Sequence, residues 1–121
     1  MSILDILGKR MVFFDGATGT YLQENGLGAG EFPEYWNITK SDVIINMHKG
    51  FLKAGSDIIL TNTFGANSFK FNTEEYSVEK IINAAVRNAK KAIEDEKSSA
   101  YVALDIGPTG KLLKPMGDLD F

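Results

Sequence analysis

The sequence predicts an α/β fold in which short parallel strands alternate with helices. Three observations carry this expectation. The runs Met11–Phe14, Asp57–Thr61 and Tyr101–Ile106 are apolar almost without interruption, the pattern of strands buried on both faces of a parallel sheet. Two long windows between them repeat apolar residues every three or four positions, as one buried helix face requires. Successive strand starts lie roughly 45 residues apart, enough for a crossover helix with generous loops.

In chain order, Ser2–Gly8 is expected to form a short extra helix, and the first strand closes at Asp15-Gly16. The Asn25–Gly30 stretch, with three glycines, reads as a loop after a short helix. From Ser41 to about Ala54, Val43, Ile44, Met47, Phe51 and Leu52 share one helical face. Ser41 is the expected N-cap and Gly55 the stop. The second strand follows the Gly55-Ser56 turn. From about Ser77 to Glu96, Val78, Ile81, Ile82, Ala85, Val86, Ala89 and Ile93 repeat the pattern, while Glu79, Lys80, Arg87, Lys90, Lys91 and Glu94 form the solvated face. Ser77 or Thr73 would cap this helix. The third strand ends at Gly107-Pro108.

Strand–helix–strand–helix–strand opens two architectures, the doubly wound sheet and the (β/α)8 barrel. After the third strand only GPTGKLLKPMGDLDF follows, with no third helix to cover the sheet. Such a sheet leaves apolar faces and strand edges open. The chain is therefore expected to be the first part of a larger domain, a barrel of about 250 residues cut before its midpoint. The alternative is a small complete α/β protein that hides its open surface in an oligomer. An incomplete barrel should also self-associate in solution.

Composition narrows the function. The 121 residues carry 13 Lys+Arg against 16 Asp+Glu, a net charge of -3. No basic stripe suits nucleic acid. The absence of Cys removes disulfides, thiolate nucleophiles and Cys-based zinc sites from this chain. No run approaches the roughly 18 apolar residues of a membrane span, and MSILDILGKR lacks the basic start of a secretory signal. A cytoplasmic setting is the resulting expectation. The Asn37-Ile38-Thr39 sequon is then a chance match.

Ligands of α/β folds bind at the C-terminal strand ends. Three polar, glycine-rich clusters fall there: Asp15-Gly16-Ala17-Thr18-Gly19-Thr20, Thr61-Asn62-Thr63-Phe64-Gly65-Ala66-Asn67, and Asp105-Ile106-Gly107-Pro108-Thr109-Gly110-Lys111. Asp15 either accepts hydrogen bonds from a ligand ammonium or ties down an Asp-Gly turn. Thr61, Asn62 and Thr63 either donate to a substrate carboxylate or satisfy loop backbone. Asp105 either binds a ligand or braces the loops. Trp36, Phe64 and Phe69 line a pocket or belong to the core. His48 lies on a helix away from the strand ends and reads as a packing residue. Gly107–Lys111 lacks the glycine spacing of a phosphate loop and has Leu112 where a magnesium-binding hydroxyl belongs. Gly16–Gly19 lacks the third glycine of a dinucleotide fingerprint.

The strings FFDGATGTYLQ, ILTNTFGAN and DIGPTGKLLKP, with Ala54-Gly55-Ser56-Asp57 between the first two, resemble the homocysteine-binding barrel of the homocysteine S-methyltransferase family, and within it the cobalamin-dependent methionine synthases. The resemblance runs from about Leu7 to Phe121. It implies a (β/α)8 barrel that binds homocysteine at its C-terminal face, so that residues 1–121 would be the N-terminal part of a homocysteine-binding domain. Family members hold a catalytic zinc through three cysteines on later strands, and the zinc presents homocysteine as a thiolate. That thiolate takes a methyl group, from methylcobalamin in the cobalamin branch, where methyltetrahydrofolate supplies it from a neighbouring domain. By position, Asp15 and Gly16 match the family's Asp-Gly at the substrate ammonium. Thr61, Thr63 and Phe64 match the second-strand wall of the homocysteine pocket, and Asn37 a polar position near the substrate. Asn62, Asp105 and Gly107 match loop architecture beside the site. With no cysteine, the chain departs from the family pattern. It is expected to supply one pocket wall with no catalytic or metal-binding residue, to hold neither zinc nor cobalamin, and to be inactive alone. The rivals are a noncatalytic α/β binding or assembly module and another small-molecule barrel enzyme.

Overall fold

The computed structural model describes residues 2–71 and 75–121. Six named elements organise them: α1 (Thr18–Glu24), α2 (Trp36–Thr39), α3 (Ser41–Ala54), β1 (Ile58–Leu60), α4 (Val78–Glu96) and β2 (Tyr101–Ala103). The expected N-terminal helix is a single 3-10 turn, Ile3–Asp5, closed by a Ser2/Asp5 capping box.

β1 and β2 run parallel, pairing Ile58 with Tyr101, Ile59 with Val102 and Leu60 with Ala103. The expected first strand is reduced to a parallel bridge between Phe14 and Ile58. Its backbone contacts are Ile58 N–H to Phe13 O at 3.1 Å and Asp15 N–H to Ile58 O at 3.1 Å. Asp57 reinforces them by accepting from the Phe13 amide at 2.9 Å and from both Arg10 nitrogens. β1 is thus the central row, with the 13–15 segment on one edge and β2 on the other.

Burial on both faces is not realised. Of the apolar residues in these runs only Ile58 and Ile59 are buried, whereas Met11, Phe13, Phe14, Leu104 and Ile106 are exposed. The sheet has helices against one face and open apolar side chains elsewhere. All three strands are shorter than the apolar runs that predicted them: ladder pairing is confined to Ile58–Leu60 with Tyr101–Ala103 and to the Phe14–Ile58 bridge.

The helices supply most of the packing. α4 is capped as expected by Ser77, whose hydroxyl accepts from the Lys80 amide at 3.3 Å; Thr73 lies outside the described residues. Its buried face is nearly all small, with Ala84, Ala85, Ala89 and Ala92 beside Ile81 and Asn88. That lets α3 lie close along it, pinned at the rim by Lys49–Asp95 at 2.9 Å and Lys53–Glu96 at 3.6 Å. α3 ends as expected at Gly55, whose φ of +106° suits glycine. Its start differs. Lys40 occupies the cap position without a side-chain hydrogen bond, and Ser41 is already helical, because α2 runs into α3 with a single residue between. Leu22, Trp36, Ile44 and Met47 form the core cluster at that junction. Trp36 is therefore core, while Phe64 and Phe69 are exposed. Phe71 is buried beneath Phe32 and Tyr35, at ring-centroid distances of 5.3 and 4.9 Å.

Candidate functional site

The C-terminal ends of the strands converge on one cup of about 380 Å³, lined among others by Asp15, Gly16, Thr61, Asn62, Thr63, Phe64 and Asp105. Parallel pairing brings this about: register-matched strands end together, and their following loops open on the same side.

Asp15 anchors the first loop. Its Oδ2 accepts from the Leu60 amide at 3.0 Å, while Oδ1 is sealed from solvent with no partner. Burial raises the Asp15 carboxyl above its ordinary value of 3.8. The Leu60 amide and Asp15's own amide oppose this, and the neighbouring Asp105 charge adds to it. A side chain at position 16 would put a Cβ 3.1 Å from the Phe51 ring, so Gly16 lets the loop lie against α3.

The two threonines are laced into the sheet end. Thr63 Oγ1 donates to Asp105 O at 2.7 Å, and the Asp105 amide donates to Thr61 Oγ1 at 3.2 Å. The 2.7 Å contact between the two hydroxyls is therefore donated by Thr61, since the single Thr63 proton is already committed. Both side chains are buried. They border the cup, yet their protons are used to join the ends of β1 and β2. Gly107 donates to Phe64 O at 3.0 Å, and a Cβ there would come within 2.2 Å of that oxygen. The third loop is thereby held against the second, with the exposed Phe64 ring at the mouth.

Asn37 is placed elsewhere. It is 1% exposed and lies behind the wall: it does not line the cup but borders a larger open groove of about 590 Å³ between α2 and α4. That groove contains no strand-end residue, so its size does not make it the ligand site that the fold defines. Sequence reasoning missed Glu34. It is 5% exposed, lines the cup and accepts from the Gly65 amide at 2.7 Å. A carboxylate among the aromatic residues and proline of the Phe32–Trp36 stretch was the signal available.

His48 is fully buried, and burial pushes its imidazole from 6.5 down to about 4. Neither ring nitrogen has a partner. Among the described residues no three His, Cys, Asp or Glu side chains are grouped to hold a metal, and the sequence has no Cys. A zinc–thiolate centre does not fit these residues, and no chemical step is routed through one. No helix among the described residues is long and apolar enough to cross a membrane.

Parallel βα units with a polar cup at their strand ends define an α/β module with a candidate ligand site. Comparison with known proteins gives its family. The homocysteine S-methyltransferase family model matches residues 12–121. The methionine synthase of Mycobacterium tuberculosis is 32% identical over 123 residues, spanning 91% of this chain and 10% of that protein. That of Mycobacterium leprae is 32% identical over the same shares. The homocysteine methyltransferase MmuM from Escherichia coli superposes in its metallated form with a TM-score of 0.72 at 21% identity, over 88% of this chain and 41% of that one. Its oxidised form gives 0.73 at 22% identity. The chain belongs to the homocysteine S-methyltransferase family. It spans about a tenth of the length of the curated relatives it matches.

Proposed function

We propose that residues 1–121 are the N-terminal part of a homocysteine-binding (β/α)8 barrel, and that they form one wall of the pocket in which a methionine-synthase-type enzyme methylates the homocysteine thiolate. The carrying observation is the unpartnered Asp15 Oδ1 at a cup shared by three strand-end loops. A buried carboxylate oxygen without a donor is costly, and a substrate ammonium is the group that relieves it. Open sheet edges and exposed apolar side chains support the incomplete-barrel reading, as does coverage of 41% of the matched methyltransferase chain.

In this reading Asp15 receives the ammonium, Gly16 allows close approach, and the laced Thr61, Thr63 and Asp105 hold the wall rigid. Phe64 shields the mouth from water. In a full enzyme, zinc held elsewhere would keep the homocysteine sulfur deprotonated and methylcobalamin would carry the methyl group, with methyltetrahydrofolate- and cobalamin-binding domains as partners. This chain alone carries no such chemistry.

The test is an NMR titration of the isotope-labelled chain with L-homocysteine. Shifts are expected at Gly16, Thr61–Gly65 and Gly107, with affinity falling about tenfold or more in Asp15→Asn. Shifts confined to Ser41 and Arg87 in the outer groove, or equal affinity in the variant, overturn the reading. Metal analysis with a methylation assay should find neither zinc nor turnover in this chain. Stoichiometric zinc with turnover refutes the division of labour.

A further inference from the structure

The wall of the cup is held from behind by carboxamides that begin on a helix with no residue in the cup. Asn88 lies on the alanine-rich buried face of α4 and is 6% exposed. Its Nδ2 donates to Asn37 O at 2.9 Å. Asn37 in turn donates through Nδ2 to Asn62 O at 2.7 Å and to Glu34 O at 3.0 Å. Asn62 completes the link by donating to Pro33 O at 2.7 Å. Every acceptor is a main-chain carbonyl, which fixes the end of each carboxamide that carries the N–H groups.

The two segments joined in this way, Pro33-Glu34 and Leu60–Phe64, both line the cup. They are far apart in sequence, and besides this relay Gly65, the residue after the second segment, donates its N–H to Glu34 Oε1. Alanine would suit position 88 better on local grounds. It has the higher helix propensity, it matches the neighbouring Ala84, Ala85 and Ala89, and it buries no polar group. What asparagine adds is the bond to the turn that carries Asn37.

We propose that Asn88 and Asn37 are positioning residues, which set the distance between the two cup-lining segments without touching the ligand. The proposal rests on reading the cup as an amino-acid pocket.

The experiment compares the wild-type chain with Asn88→Ala, Asn88→Asp and the exposed control Asn83→Ala. Two quantities are read: amide hydrogen exchange, and L-homocysteine affinity. In both Asn88 variants, exchange at Thr63 and Gly65 should rise about tenfold relative to the β1 and β2 amides, and homocysteine should bind about five- to tenfold more weakly. The control should match wild type in both. A uniform rise across all amides would mean that Asn88 serves global stability only, and would overturn the proposal. So would unchanged exchange at Thr63 and Gly65. Should the wild-type chain fail to bind homocysteine, the pocket reading falls, while the exchange contrast still decides whether the relay positions the wall.

Discussion

His48 makes the stability of this chain depend on pH in a defined window. The imidazole is fully buried between helices that pack along their length, with both ring nitrogens unpartnered. Burial disfavours its charged form and lowers its pKa from 6.5 to about 4. The unfolded chain therefore binds a proton below 6.5 that the folded chain refuses until about 4. Stability from this group is fully present above 6.5 and is lost as the pH falls through that interval. At about 1.4 kcal/mol per pH unit the loss approaches about 3 kcal/mol, a large share of the roughly 5–15 kcal/mol that holds a domain together.

The perturbation is His48→Leu, which fills similar space with no titrating or hydrogen-bonding atom. At pH 7 it should be at least as stable as wild type, because no bond is broken and two unsatisfied nitrogens go. Urea unfolding of both proteins, followed by far-UV circular dichroism at one chain concentration from pH 7.5 to 4, isolates the effect as a difference. Asp15 contributes with the opposite sign: its raised pKa adds stability at low pH that is lost as the pH rises through it. The lowered Asp57 and Asp95 carboxyls act only below about 3.8. All three are common to both proteins and cancel. Wild type should fall relative to His48→Leu by about 3 kcal/mol. Parallel curves through this window would refute the reasoning.

Glycine 107 should tolerate nothing larger. In Gly107→Ala the new Cβ meets Phe64 O at 2.2 Å, so the chain should lose about 1–3 kcal/mol in urea unfolding. Gly50→Ala has open space inside α3 and should gain about 0.5–1 kcal/mol. The exposed Met11, Phe13, Phe14, Leu104 and Ile106 side chains should drive self-association detectable by light scattering. A well-folded, strictly monomeric chain at high concentration would count against the open-barrel reading.

Local chemistry was legible in the sequence where a residue acts on its neighbours. Gly55 stops α3 and Ser77 caps α4, since each decision is made within one turn. Ser41 misled because the cap rule cannot see that α2 already occupies the preceding residues. The strand limits misled because an apolar run signals burial, and burial needs neighbours that Met11–Phe14 and Leu104–Ile106 do not find here. The convergence of three polar strand ends was readable from topology alone. Glu34 and Asn88 were not, because their hydrogen bonds span 31 and 51 residues, and no local pattern encodes partners at that distance.

The composition of the cup narrows what this wall can do. Asp15, Glu34 and Asp105 all border it, and among the described residues no Lys, Arg or His does. The threonine hydroxyls, which the sequence offered as donors for a carboxylate, are already engaged with each other and with Asp105. Glu34 Oε1 is occupied by the Gly65 amide. Asp15 Oδ1 remains buried and unsatisfied, an acceptor open to a ligand donor. An acidic wall repels a carboxylate and attracts an ammonium. In an amino-acid pocket built on this wall, the cationic end of the substrate therefore faces these residues.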